Sequence, residues 1–126
     1  MGKTSLTFDF GSMVFEDRIL IVTLNEDLEI TESILEKIFT EGAALSRGVP
    51  YSILADVRKN VSSTSSARKY GAHHPFMKQL VAQALIADTS AVIILANFFI
   101  KVNKPEIPTR LFKKKEDAIA WLRSTL

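Results

Sequence analysis

A chain of 126 residues, 47% hydrophobic and 24% charged, has the size and balance of one ordinary globular domain, far from a disordered composition and able to fold without covalent staples. It contains no cysteine, so disulfides, thiolate catalysis, iron–sulfur clusters and cysteine zinc sites are all excluded. The net charge of +2 conceals an asymmetry: through Pro50 four basic residues face nine acidic ones, whereas from Tyr51 onward twelve basic face five acidic.

The first residues, Met1-Gly2-Lys3-Thr4-Ser5-Leu6, lack the apolar stretch of a secretory signal, and Leu6 stands where myristoylation needs Ser or Thr. Gly2-Lys3-Thr4 mimics the end of a phosphate-binding loop without its upstream glycine and strand. Leu6-Thr7-Phe8-Asp9-Phe10 then alternates apolar and polar, the period of a half-buried strand. Residues 13–16 and 19–24 are two more β-rich runs, joined around Asp17-Arg18 as a tight hairpin. At Thr31 the period changes. Thr31 caps a helix, Glu32 suits its positive end, and Ile34, Leu35, Ile38, Phe39 and Leu45 form one stripe. Arg47 falls in its last turn, and Gly48 and Pro50 stop it.

Residues 51–57 read as a buried strand, followed by a polar loop over 58–66 that contains five hydroxyl residues in a row, Ser62 to Ser66. A weak helix runs from Ser66 to about residue 80, interrupted near Pro75, and residues 81–87 form another strand closed by Asp88. Hydrophobicity alone would allow residues 91–100 to be a buried strand. Residues 90–102 lack a breaker and exceed strand length, so a helix is predicted, capped by Asp88 and Thr89 and ended by Asn103-Lys104-Pro105. This apolar run is about half of the ~20 residues a membrane span requires. Residues 108–112 are a last strand, and residues 116–126 a helix that buries Ala118, Ile119, Trp121 and Leu122.

Strands alternating with helices predict an α/β domain over residues 1–126: a mixed, mostly parallel sheet of four or five strands, an opening antiparallel hairpin, and about four helices on its faces. The order resembles a STAS domain, the fold of anti-sigma-factor antagonists, and is closer still to the SpoIIAA-like (STAS-like) proteins. The stretch Asn97-Phe98-Phe99-Ile100-Lys101-Val102-Asn103-Lys104-Pro105-Glu106-Ile107-Pro108-Thr109-Arg110-Leu111-Phe112, followed by Glu116-Asp117-Ala118-Ile119-Ala120-Trp121-Leu122, is similar to the ending of a Bacteroidetes branch of that group. The strand Ile53-Leu54-Ala55-Asp56-Val57 also matches it. The resemblance implies the fold and leaves the function open, since one fold hosts many functions.

In STAS antagonists a serine after the central strand is phosphorylated within an Asp-Ser-Ser-Gly motif. The matching segment is Ser63-Thr64-Ser65-Ser66, with Ser65 nearest the acceptor. No Asp precedes it, and Ala67 follows where the motif has glycine. A phosphate there would be stabilised by free N–H groups and the helix dipole. Five hydroxyls in a row are also what a solvated loop and helix cap look like, so Thr64, Ser65 and Ser66 stand as a candidate phosphoacceptor or ligand loop.

Asp56 and Asp88 end predicted parallel strands, where ligands of open α/β sheets tend to sit. They are candidates to flank a crevice, although Asp88 before Thr89-Ser90 is more simply a cap. His73 and His74 are adjacent, so on a helix they point about 100° apart and cannot chelate as an i, i+4 pair does. No hydroxyl is paired with histidine or lysine at a recognisable spacing. No catalytic residue, cofactor or metal site is therefore expected, and the chain is not expected to be an enzyme.

Lys101, Lys104 and Arg110 make a candidate basic patch, but no arginine-rich or aromatic-interleaved stretch supports nucleic acid. The helix over 91–102 is apolar nearly all round and should be buried on every side, against the sheet or against a partner, ligand or membrane surface. The resulting expectation is a cytoplasmic, non-enzymatic STAS-like module for regulation or protein interaction, a homodimer with no integral membrane association. The alternative is a carrier or sensor of a small apolar or anionic ligand.

Overall fold

A computed structural model describes residues 2–73 and 78–126. Three antiparallel strands open the chain: β1 (Thr4–Phe8), β2 (Gly11–Glu16) and β3 (Ile19–Leu24). Asp17 and Arg18 both take left-handed backbone, φ 54° and 62°, the pair of angles that a two-residue hairpin matched to strand twist requires. Gly11 sits at φ 151°, where any Cβ would collide with the Thr23 carbonyl oxygen of the neighbouring strand.

The short β4 (Glu29–Ile30) precedes α1 (Glu32–Ser46), β5 (Tyr51–Asp56), β6 (Ser62–Ser63), α2 (Ser65–His73), β7 (Leu80–Ile86), α3 (Ser90–Phe98), β8 (Thr109–Phe112) and α4 (Lys115–Thr125). Thr31 caps α1 as expected, its hydroxyl oxygen accepting from the Ile34 N–H at 3.3 Å. Arg47 is not in the last turn; it is the left-handed cap residue beyond it, at φ 52°.

The main sheet runs β1-β2-β3-β5-β7-β8, with β3, β5, β7 and β8 parallel. This is the mixed, mostly parallel sheet with four helices expected from the sequence. It has six strands rather than four or five, because the run over residues 6–10 pairs onto the hairpin as β1 and is counted with it. Residues 62–63, read as loop, instead pair in parallel with β4 as a second, two-stranded sheet. Pro75 and His74 lie outside the described residues.

Sheet alternation sorts the side chains onto two faces. On one, Leu20, Val22, Leu24, Ile53 and Val57 meet Ile38 and Phe39 of α1 and Val92 of α3. On the other, Ile19, Leu54, Ala82, Ala84 and Ile86 meet Ala118 and Leu122 of α4. The crossover helices α1 and α3 thus share a face with α2, whose Tyr70 packs into the same cluster. The strand order advances in one direction without reversal from β3 to β8.

The helix expected over 90–102 is present: α3 continues into a π-helical turn over Phe99–Asn103. It is not buried on every side. Ile94, Phe98 and Val102 are 68%, 44% and 58% exposed, because only the Val92 and Ala96 side of α3 reaches the core.

Candidate functional site

The two faces of the sheet are packed differently. Beneath α4, Leu54, Ala84 and Ile86 are 0% exposed. On the opposite face of the same two strands, Ala55 and Leu85 remain partly exposed although three helices lie over them. The helices stand off the sheet there and leave a cavity of about 130 Å³. Its floor is Val22, Ile53, Ala55 and Leu85, and its walls come from α1 (Leu35, Ile38, Phe39), α2 (Ala67, Gly71), α3 (Val92, Leu95) and the π-helical turn that follows it (Phe99).

Small residues make this space. Ala55 lies between Ile53 of β5 and Val57 just beyond it, all three facing the cavity. Ala67 and Gly71, four apart, present almost no side chain from α2, and a Cβ at Gly71 would meet the Leu35 Cδ1 at 3.1 Å. Larger residues at these positions would close the gap, so the sequence itself keeps it open.

Polar groups in the wall are few. Gln83, 7% exposed, is anchored by its Nε2 donating to the Thr109 hydroxyl at 3.0 Å. Arg68 reaches in from α2 beside Ser62 and Ser63. Its Nη1 donates to the Ser63 carbonyl oxygen at 2.7 Å and to the Ser63 hydroxyl at 3.0 Å. Its Nε is buried with no hydrogen-bond partner among the described residues, and the Phe98 ring centroid lies 5.3 Å from the guanidinium carbon. A buried donor left unpaired costs stability unless something occupies it.

A second, polar crevice lies at the carboxyl ends of β3 and β5, lined by Thr23, Leu24, Asp56, Arg58, Lys59 and Asp88. The structure thus brings Asp56 and Asp88 to one place. They do not form an acid/base pair. Arg58 grips Asp56 side-on, Nε to Oδ1 at 2.9 Å and Nη2 to Oδ2 at 2.7 Å, and its N–H adds a third bond at 3.1 Å. Burial pushes the Asp56 carboxyl up, but the Arg58 hydrogen bonds and charge, helped by Lys115, outweigh it and hold the group below its ordinary 3.8. Asp88 is exposed and does not cap α3, whose N-cap is Thr89 with no side-chain bond.

Within the hydroxyl run, the cap of α2 is Thr64, whose Oγ1 accepts from the Ala67 N–H at 3.0 Å and lies 3.3 Å from the Ser66 hydroxyl. Ser65 and Ser66 are exposed in the first turn. His73 lies 3.2 Å from Glu106, while His74 is outside the described residues. The expected basic patch is divided. Lys101 is exposed on the π-helical turn and Lys104 just beyond it, whereas Arg110 lies on the α4 side of β8, its guanidinium carbon 5.3 and 5.4 Å from the Phe112 and Trp121 ring centroids. Among the described residues there is no cluster of acidic and histidine side chains suited to a metal ion, and no helix long and apolar enough to cross a membrane.

Arg68, Gln83, Ala55 and Gly71 were not singled out by sequence reasoning. The available signal is the small pair Ala67 and Gly71 flanking Arg68 at helical spacing, together with one alanine inside the apolar face of β5.

A solved structure similar to this chain is that of an uncharacterised DUF3478-family protein with a SpoIIAA-like fold from Shewanella loihica. It is 14% identical, with a TM-score of 0.55 over 96% of this chain and 92% of that one. A protein with unknown function from Arthrobacter is 24% identical over 88% of this chain and 97% of that chain, at a TM-score of 0.32. No curated protein matches the sequence. The chain has the SpoIIAA-like fold, and over residues 13–126 it matches a domain of unknown function; it belongs to the DUF7793 family.

Proposed function

We propose that this domain is a non-enzymatic sensor or carrier that holds a small apolar ligand between its sheet and helices α1, α2 and α3. The observation that carries the reading is the asymmetry across the central strands: Ala55 and Leu85 stay accessible beneath a helical layer while Leu54 and Ala84, on the other face, are 0% exposed. An apolar cavity of ~150 Å³ is enough to bind benzene, so the space here suits about six carbon atoms. Chemistry at the polar groups is not favoured, since Asp56 is held ionised by Arg58 and the Thr64 hydroxyl is committed to a cap.

Helix α3 connects this cavity to the surface. With the π-helical turn that continues it, it walls the cavity through Val92, Leu95 and Phe99, while Ile94, Phe98 and Val102 at four-residue spacing form an exposed apolar stripe. A ligand that moves α3 would alter that stripe, which suits a regulatory module better than a passive store. Native mass spectrometry of freshly purified protein tests the reading. A retained non-covalent adduct that is lost on Ala55→Leu supports it; an adduct that survives the filled cavity does not.

The stripe also favours self-association as a second reading. Covering Ile94, Phe98 and Val102 by a two-fold contact is the commonest solution for such a face, and the acidic first half and basic second half of the chain would steer it. Light scattering distinguishes the contributions. A dimer that persists in ~1 M salt, where charges are screened, rests on the apolar stripe, and a monomer at high concentration removes this reading.

A further inference from the structure

We infer that the ligand of this cavity carries a carboxylate, taken by the unused Nε and Nη2 edge of Arg68. The inference rests on the cavity being a ligand site and adds the chemistry of the head group.

An arginine presents two edges to planar acceptors, and a carboxylate fits the side-on edge formed by Nε and Nη2 with two parallel bonds. The protein itself contains that pairing. Arg58 uses this edge to hold Asp56 at 2.9 and 2.7 Å. In Arg68 only Nη1 is engaged, with Ser63; Nε is buried without a partner, and among the described residues no hydrogen bond is made by Nη2 and no carboxylate pairs with the side chain. Ser63 holds the guanidinium in place from one side and leaves the carboxylate-binding side without a hydrogen-bond partner among the described residues. The Nε–H is closed to water, so a head group must displace what covers it. The exposed Phe98 ring is one neighbour of the guanidinium, its centroid 5.3 Å from the guanidinium carbon.

The remainder of the cavity fixes the rest of the ligand. Beyond Arg68, the walls are aliphatic and aromatic apart from Gln83, Ser62 and Ser63, so one charged end and one apolar body are required. A single guanidinium matches a monoanion. A phosphate dianion would carry a second charge into an apolar wall with no cation to meet it. The ligand class is therefore a small monocarboxylate with an apolar body of about five to seven carbons, given that ~150 Å³ holds a benzene ring.

The test titrates hexanoate and 1-hexanol, matched in length, into the full chain and follows backbone amide shifts by NMR. Hexanoate is expected to bind at least tenfold more tightly than the alcohol and to shift Ala55, Gly71 and Leu85. In Arg68→Met that advantage should vanish while the alcohol still binds, and Arg68→Lys should retain part of it. If hexanoate and hexanol bind the wild type equally, the carboxylate inference is overturned and the apolar cavity stands. If neither shifts the cavity residues, both the inference and the ligand reading are overturned. The wild-type comparison holds even where Arg68→Met fails to fold.

Discussion

The Arg68 guanidinium ties α2 to β6, its Nη1 donating to both the carbonyl and the hydroxyl oxygen of Ser63 at 2.7 and 3.0 Å. Charge-assisted bonds of this kind contribute about 1–2 kcal/mol when partly exposed. Arg68→Met should therefore lower unfolding free energy by about that amount, and Ser63→Ala, which keeps the carbonyl bond, by about 0.5 kcal/mol. Urea titrations of the two variants measure both. Equal losses would mean that the hydroxyl, not the carbonyl, carries the contact.

Thr64, rather than Ser65, satisfies the first turn of α2. Thr64→Ala should cost about 1 kcal/mol, the usual loss for a removed N-cap. Ser65→Ala should stay within about 0.5 kcal/mol of the parent, as exposed substitutions do. Thermal melts of the pair decide the matter; a larger loss at Ser65 would move the cap by one residue.

The Asp56 carboxyl is held below 3.8 by Arg58 in the folded chain. As the pH falls below 3.8, the unfolded chain takes up a proton that folded Asp56 still refuses. The pair's contribution is therefore complete above that pH and is lost as the pH falls through the lowered folded value. Asp56→Asn removes this dependence. Melting temperatures of parent and variant should differ most near neutral pH and converge as the pH falls through the lowered folded value of Asp56. Parallel curves across that range would show that Arg58 does not perturb the group.

Local signals in the sequence were enough for the elements and not for the gap between them. Asp17-Arg18 between two β-rich runs located the hairpin, and Thr31 before an apolar stripe located α1 and its cap. The unbroken length of residues 90–102 separated helix from strand correctly. The two-residue strands β4 and β6 are too short to have a period, so residues 62–63 read as loop. Hydrophobicity of α3 reports what its side chains prefer and not what covers them, so burial was expected all round the helix without saying whether sheet, partner or ligand would cover Ile94, Phe98 and Val102. The cavity depends on the spacing of two layers, and no pattern in either layer reports a distance. Only its small residues, Ala55, Ala67 and Gly71, leave a trace in the sequence.

Leucine placed on the two faces of the central strands measures most directly whether the helical layer stands off the sheet. Ala55→Leu adds three carbons where there is space and should raise unfolding free energy by about 1–2 kcal/mol. Ala84→Leu adds the same carbons beneath α4, where the alanine is 0% exposed, and should lower it by about 1–3 kcal/mol through overpacking. Urea unfolding of both variants beside the parent gives the comparison. Opposite signs are the expected result. A loss at Ala55 as large as that at Ala84 would contradict the account, because the face under α1, α2 and α3 would then be as full as the other.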